Sequence, residues 1–504
     1  MKFTLALALV ACASTPHVAR RVIAGTACFD PVVYGAIPGD GLSDRVAFQT
    51  AIDAATSQPD GGTVCIPPGR YTFDRAPVGS YDRFAALSTH GKGLTLMGAG
   101  PETVLELAGD QGGSTTILFS IDPSAERIRV TQMTMQLTAT NTDEQTHAVA
   151  TSGTCSGATC LPIRDLEVDH VRFLWARVDP LWRTGDCVRL LGNTAPTATT
   201  PGTELYRASV HDNLCDTGRS GVEVQRGIHS ILIANNNFHC DACDQLIDGE
   251  ATGVTGLIGQ PTDIVIAGNT FDRGPLAQGD HNISMTSAAR VTITGNTLLH
   301  GGITLYRTTA AAITGNAIDS STTAGDEGVI QVANACDGLV VAGNTIKRAG
   351  HVGPVIKLVP HSSTLCGSAN IGPNMLTQGT VFQAIYAESL SRSSIHDNTI
   401  IYPGTGAPGF PAIEVRAIYS GANAVSSLSI SDNIVSGAVT YVVDLHASPG
   451  TYGRGVVVSG NTADNATFGL KCDGPAANFT AVITSSGNAI GPSAYGSATV
   501  EHGD

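Results

Sequence analysis

The sequence predicts an all-β protein wound as a parallel β-helix, and three observations point there. An asparagine recurs in a fixed apolar frame through most of the chain. The residues around it alternate apolar and polar, which is the period of a strand. Finally, glycine supplies 58 of the 504 residues while only 14% are charged, against about 25% in an ordinary globular protein. Ample apolar content (42%) argues against disorder, and abundant glycine against a helical protein. With 28 Lys+Arg against 43 Asp+Glu the net charge is −15, so no basic face is expected and nucleic acid is excluded as a partner.

Four segments follow in order. Residues 1–13 read as a leader: Met1-Lys2 opens it, and Phe3 to Ala11 is apolar but too short to span a bilayer. Leu9-Val10-Ala11-Cys12 resembles a bacterial lipobox, which would leave Cys12 lipidated, while Ala11-Cys12-Ala13 also fits simple signal cleavage. The protein is therefore expected to be exported, either secreted or lipid-anchored at the bacterial cell surface. That anchor would be its one link to a membrane. Residues 27–105 form the N-terminal cap and first coils, 106–490 the remaining coils, and 491–504 a polar tail.

In the cap, Ser43 or Asp44 can start a helix whose apolar residues 47, 48, 51, 52 and 55 share one face. Such a helix would cover the open end of the solenoid and its unpaired strand edges. Beyond it comes the repeat, two alternate apolar residues followed by small-Asn-x-apolar, as in Ile231 to Phe238 or Val291 to Leu298. It recurs at Asn213, Asn236, Asn269, Asn296, Asn316, Asn344, Asn374, Asn398, Asn433, Asn461 and Asn488, with a mean spacing of 27.5 residues. Propeller blades need about 40–45 residues, and no helix fills the intervals. Three short strands per coil, stacked about 4.8 Å apart, fit the spacing and turn the asparagines into a coil-to-coil amide ladder.

Export makes disulfides the natural fate of the cysteines. Cys336 and Cys366 each lie eight residues before a ladder asparagine, so they should meet on adjacent coils and bond. Cys155 and Cys160 flank a glycine-containing loop and are expected to pin it; Cys28 and Cys65 are a further candidate pair. Cys240 and Cys243 have zinc-knuckle spacing but no second ligand pair, so zinc is not expected there.

The N-terminal segment carries a family resemblance. Tyr34-Gly35-Ala36, Gly39-Asp40-Gly41, Ala47-Phe48-Gln49, Ala51-Ile52 and Gly61-Gly62 through Pro68-Gly69-Arg70-Tyr71 stand in the order of a known opening. This set resembles the start of the pectate-lyase-like superfamily, in its rhamnogalacturonase/epimerase-like (pectate lyase 3) group. Tyr34 replaces the usual Phe, and Arg45 follows a single Asp44. The resemblance implies a right-handed parallel β-helix and a glycan bound along an outer sheet near mid-helix. It does not identify a reaction, because the group holds hydrolases, lyases, epimerases and binding proteins. The hydrolase signature of paired acids and a later His-Gly is incomplete: Gly185-Asp186-Cys187 has one acid, although His300-Gly301 is present.

With apolar residues inward, the second strand of successive coils presents an outward row of Arg189, Glu223, Asp248 with Glu250, Ser284, Thr304, Gln331 and Lys357. Four acids fall between Asp241 and Glu250. Glu223, Asp244, Asp248 and Glu250 are the candidate catalytic carboxylates, since adjacent coils would set acids about 5–9.5 Å apart, as glycoside hydrolysis requires. Arg189, Arg219, Asp241, His281, Arg307 and Lys357 are candidates for substrate binding; Trp175, Trp182, Tyr306 and Tyr386 are candidate stacking rings. No cofactor is expected, a structural Ca²⁺ on the acids being the one alternative. Three functions fit: a glycoside hydrolase on polysaccharide, a lyase on uronate-containing glycan, and a non-catalytic glycan-binding adhesin.

Overall fold

The computed structural model describes residues 28–502 apart from 75, 78–83, 110–115, 139–145, 153–160, 176–184, 193–203, 217, 242, 244, 251–258, 275–280, 321–326, 335, 349–352, 361–365, 380, 405–408, 419–424, 448–451, 454, 474–482, 487–488 and 491–499. The leader with Cys12, the Cys155/Cys160 loop, Trp182, Asp244 and Asn488 lie outside the described residues.

The chain forms a parallel β-helix. Each coil contributes three short strands, illustrated by Ser220–Gln225, Ile228–Ala234 and Asn237–Cys240. Each of these pairs in parallel with its counterpart one coil on: Ile247–Glu250, Thr262–Ala267 and Thr270–Arg273. Parallel crossovers of this kind wind right-handed. Strand alternation sends apolar residues inward, so Ile247, Ile283, Ile303, Ile330, Ile356 and Ile385 stack as one column, all without solvent contact. Burying each such side chain is worth about 1.5–3 kcal/mol, which makes the column a main source of coil cohesion.

At one corner the asparagines form the ladder. Asn296 Nδ2 donates to Asn316 Oδ1 at 2.9 Å and to the Ile266 carbonyl at 2.9 Å. Its own Oδ1 accepts from the backbone and side-chain nitrogens of Asn269, at 2.9 and 3.0 Å. The chain of side-chain bonds is continuous from Asn213 to Asn461. The small residue before most rungs is set by geometry: Asn235, Gly268, Gly295 and Asp432 have φ of 55°, 65°, 64° and 57°, where glycine, asparagine and aspartate cost least. Asn296→Ala is expected to orphan the buried donors of Asn269 and the Ile266 carbonyl. That should destabilise the fold by about 2–5 kcal/mol, read as a lower urea midpoint.

The helix spans Arg45–Thr56 and buries Ala47, Phe48, Ala51, Ile52 and Ala55. Phe48 meets Tyr71 and Phe73 edge-on, both with centroids 5.0 Å away. The cap differs from expectation. Asp44 stands at the helix N-terminus, but its carboxylate accepts from the Ile37 and Thr72 backbone nitrogens at 2.9 and 3.2 Å and makes no helix-cap bond. The side chain is spent on joining the preceding loop to the first coil.

Cys28–Cys65, Cys187–Cys215, Cys240–Cys243 and Cys336–Cys366 are disulfides. The Cys336 and Cys366 Cα atoms are 4.9 Å apart, one coil spacing. Cys472 is a buried free thiol. Val500–His502 pairs in parallel with Leu470 to Cys472, so strand pairing continues into the segment expected to be a polar tail.

Candidate active site

Parallel register fixes the outward row. Arg189, Glu223, Asp248, Ser284, Thr304, Gln331 and Lys357 are consecutive partners on successive coils. At its N-terminal end this row is not solvated, as alternation alone would have it: Glu223 is fully buried, and Asp248 and Arg189 nearly so. Opposite charges packed against one another make that burial tolerable.

Arg219 is the centre of the cluster. Its Nη1 lies 3.4 Å from Asp186 and 3.9 Å from Glu223; its Nη2 lies 3.3 Å from Asp248 Oδ2 and 3.7 Å from Glu250 Oε1. Arg189 Nε pairs with Glu223 Oε2 at 3.1 Å, and Gln225 donates to the other Glu223 oxygen. Arg189 Nη1 is 3.1 Å from His147 Nε2, whose Nδ1 is 2.8 Å from Asp186. A guanidinium can only donate, so Nε2 accepts and Nδ1 carries the proton that faces Asp186.

Among the described residues two guanidiniums face four carboxylates, and burial of the surplus acid favours its protonated form. Burial pushes Asp186 up to about 6, with Arg219 offsetting only part of it. Burial and then the charge of Glu250 push Asp248 up to about 8. Glu223 is raised too, by burial and by Asp186 beside it. Glu250 is different in kind, with 44% of its side chain exposed against 8% for Asp248. Because both contact the same Arg219 nitrogen, their facing oxygens lie no more than about 7 Å apart, close enough to address one glycosidic bond.

Ligand atoms of His147, Asp186 and Glu223 also lie within 4.8 Å of one another, the one such group among the described residues. The set does not suit a cation. Arg189 occupies the His147 Nε2 lone pair, and two guanidiniums already stand against the carboxylates a metal would need.

Other sequence candidates lie elsewhere. Asp241 sits 3.5 Å from His239. His281 faces the Gly328 carbonyl at 3.2 Å and Glu327 at 3.5 Å, and burial drives its pKa down to about 4. Arg307 lies over the Tyr306 ring, 5.2 Å from its centroid. Lys357 is four coils from Asp248, about 19 Å at 4.8 Å per coil. Trp175 is buried. Arg189 and Arg219, candidates for substrate binding, both stand against carboxylates of this cluster. His147 was not among the sequence candidates. Its signal was the strand that opens His147-Ala148-Val149, in which His147 aligns with Asp186 and Val149 with Val188 one coil on. A separate shallow groove of about 350 Å³, lined by Gly100, Gln132, His170, Arg172, Asp212 and Leu214, lies at the ladder corner and shares no residue with the cluster.

No protein-family model matches the chain, and no curated protein sequence matches it. Among solved structures it is similar to the A-module of the mannuronan C-5 epimerase AlgE6 of Azotobacter vinelandii, at 15% identity and TM-score 0.37, over 92% of this chain and 99% of that one. It is likewise similar to the catalytic unit of a GH87 α-1,3-glucanase from Streptomyces thermodiastaticus, at 16% identity and TM-score 0.38, over 95% and 70%. A third is PfbA, a surface adhesin of Streptococcus pneumoniae, at 16% identity and TM-score 0.38, over 89% and 93%. No residue role is carried across from any of them.

Proposed function

We propose that the chain is an exported glycoside hydrolase acting on a polysaccharide, with Asp248 as general acid and Glu250 as its carboxylate partner. The observation that carries this reading is their shared contact with Arg219, which joins a buried acid raised to about 8 to a half-exposed carboxylate. Environments that differ in this way separate acid from base on one site. Asp248 delivers its proton to the glycosidic oxygen as the C1–O bond breaks. Glu250 then either attacks C1 or takes a proton from the water that does, and the anomer first released identifies which.

Arg219 and Arg189 position these groups; Glu223 and Asp186 anchor the arginines from within. With both guanidiniums engaged, the cluster favours a neutral glycan over a uronate chain. Lyase chemistry needs a basic group to remove the C5 proton, and an arginine held by four carboxylates is poorly suited to it.

The test is a polysaccharide screen read in parallel by reducing ends and by ultraviolet absorbance. Reducing ends without an absorbing unsaturated product are expected. Unsaturated uronate would establish the lyase, and glycan retention with no product under any condition would establish the adhesin.

A further inference from the structure

The outward row does not end at Lys357. It continues through Tyr386, Glu414, Asp444 and Lys471, in register on the next four coils. Asp444 stands seven coils beyond Asp248, about 34 Å away at 4.8 Å per coil. Beside this row runs a second one of Glu388, Arg416, His446 and Asp473.

Most groups here are fully engaged. Glu414 pairs with Arg416 through one oxygen and accepts from Gln383 through the other. Arg416 lies over the Tyr386 ring, 5.4 Å from its centroid, and the Tyr386 hydroxyl donates to Glu388 at 2.5 Å. Lys471 sits 5.2 Å over the Tyr441 ring and turns its ammonium to Asp473 at 2.9 Å.

Asp444 is the exception. It is 6% exposed, its Oδ1 is buried with no hydrogen-bond partner among the described residues, and Lys471 stands 3.9 Å from Oδ2. A buried carboxyl oxygen left in that state is costly, and native proteins retain such groups where something else completes them. What the oxygen lacks is a hydrogen-bond donor, which a hydroxyl can supply, and the half-buried rings of Tyr386 and Tyr441 stand beside Arg416 and Lys471. Paired hydroxyls on an apolar ring face are what a sugar offers to such a set. The acids Glu388, Glu414 and Asp473 oppose an anionic ligand; Arg416 and Lys471 oppose a cationic one.

We propose that Asp444, with Glu414, Lys471 and the rings of Tyr386 and Tyr441, forms a second saccharide site, separate from the Arg219 cluster and selective for neutral sugars. Burial, opposed by Lys471 and helped by Glu414 and Asp473, raises the Asp444 carboxyl to about 7, so the protonated form can both donate to and accept from a hydroxyl.

A disaccharide cannot span 34 Å, so it reports each site alone. The full chain is titrated with maltose, cellobiose, laminaribiose and lactose, alongside a galacturonate dimer and chitosan disaccharide, by saturation-transfer NMR and calorimetry. At least one neutral disaccharide is expected to bind. Its affinity should fall at least tenfold in Asp444→Leu and in Tyr441→Ala, largely recover in Asp444→Asn, and hold in Asp248→Asn. The Tyr441→Ala arm decides if Asp444→Leu fails to fold. Equal loss in Asp248→Asn, unchanged affinity in Asp444→Leu or Tyr441→Ala, binding of charged disaccharides only, or no binding at all would overturn the proposal. The outcome is independent of whether the Arg219 cluster hydrolyses anything.

Discussion

Asp248→Asn is expected to lower turnover by about 10²–10⁴-fold with the fold intact, because asparagine keeps the volume and the acceptor but has no acidic proton to give. Released reducing ends measured under saturating polysaccharide check this, and turnover at the level of the unaltered chain would remove Asp248 from the mechanism. The same variant carries a stability signature. An aspartate ionises near 3.8 in the unfolded chain and near 8 in this fold, so the folded state binds the extra proton between those values. Its contribution is whole below about pH 4 and drains away as pH rises through 8, at a slope of at most ~1.4 kcal/mol per unit. Asp248→Asn has no such proton. Between pH 6.5 and 8 its urea midpoint should therefore fall less steeply than that of the unaltered chain.

The second large effect concerns stability rather than chemistry. Arg219→Met is expected to cost about 3–5 kcal/mol, the usual consequence of stranding buried charges by removing their partner. Asp186 and Glu223 have no solvent contact, and Arg189 alone cannot serve both. The loss should grow from pH 5.5 to pH 8, as the abandoned carboxyls are driven to ionise. Arg207→Met is the matched control: its pair with Asp165 is about half exposed, and such surface pairs contribute under about 1 kcal/mol. Equal losses in the two variants would mean that Arg219 is no more than a surface charge.

The fold was legible because its physics repeats. A ladder of side-chain amides demands the same residue on every coil, and the left-handed residue before it demands Gly, Asn or Asp, so both are written in the sequence. The cysteines of the Cys336–Cys366 bond were legible for the same reason, being offset equally from successive rungs. The row through Arg189, Glu223 and Asp248 followed from alternation. Legibility failed where the repeat lapsed. In the coil before Asn213 the register sets Val171 where the asparagine would stand, with Asp169 two residues earlier held by Arg129 at 2.8 Å, and His147 sits on a strand beside that unmarked coil. Glu414 escaped for a related reason: the rungs at Asn398 and Asn433 are 35 residues apart, and the long insert hides the strand between them. Asp444 lies one coil further on, in a strand that runs unbroken from Ile434 to Ala447 and shows no turn to mark where the outward row begins. Burial of the charged row was beyond alternation altogether, since a strand pattern gives the direction of a side chain and says nothing about what packs over it.

The amide ladder also makes the molecule a ruler with fixed graduations. Each rung commits one coil to one step of the axis, whether that coil takes 20 residues, as from Asn296 to Asn316, or 35. Length added to a coil goes sideways and leaves the axial distance alone. The separation of Asp248 from Asp444 can thus change only in whole steps of about 4.8 Å, by gain or loss of a complete turn. Excising the turn from Asn296 to Asn316 would bring the two centres one graduation closer with each left whole, so a glycan long enough to touch both could be measured against the protein one turn at a time.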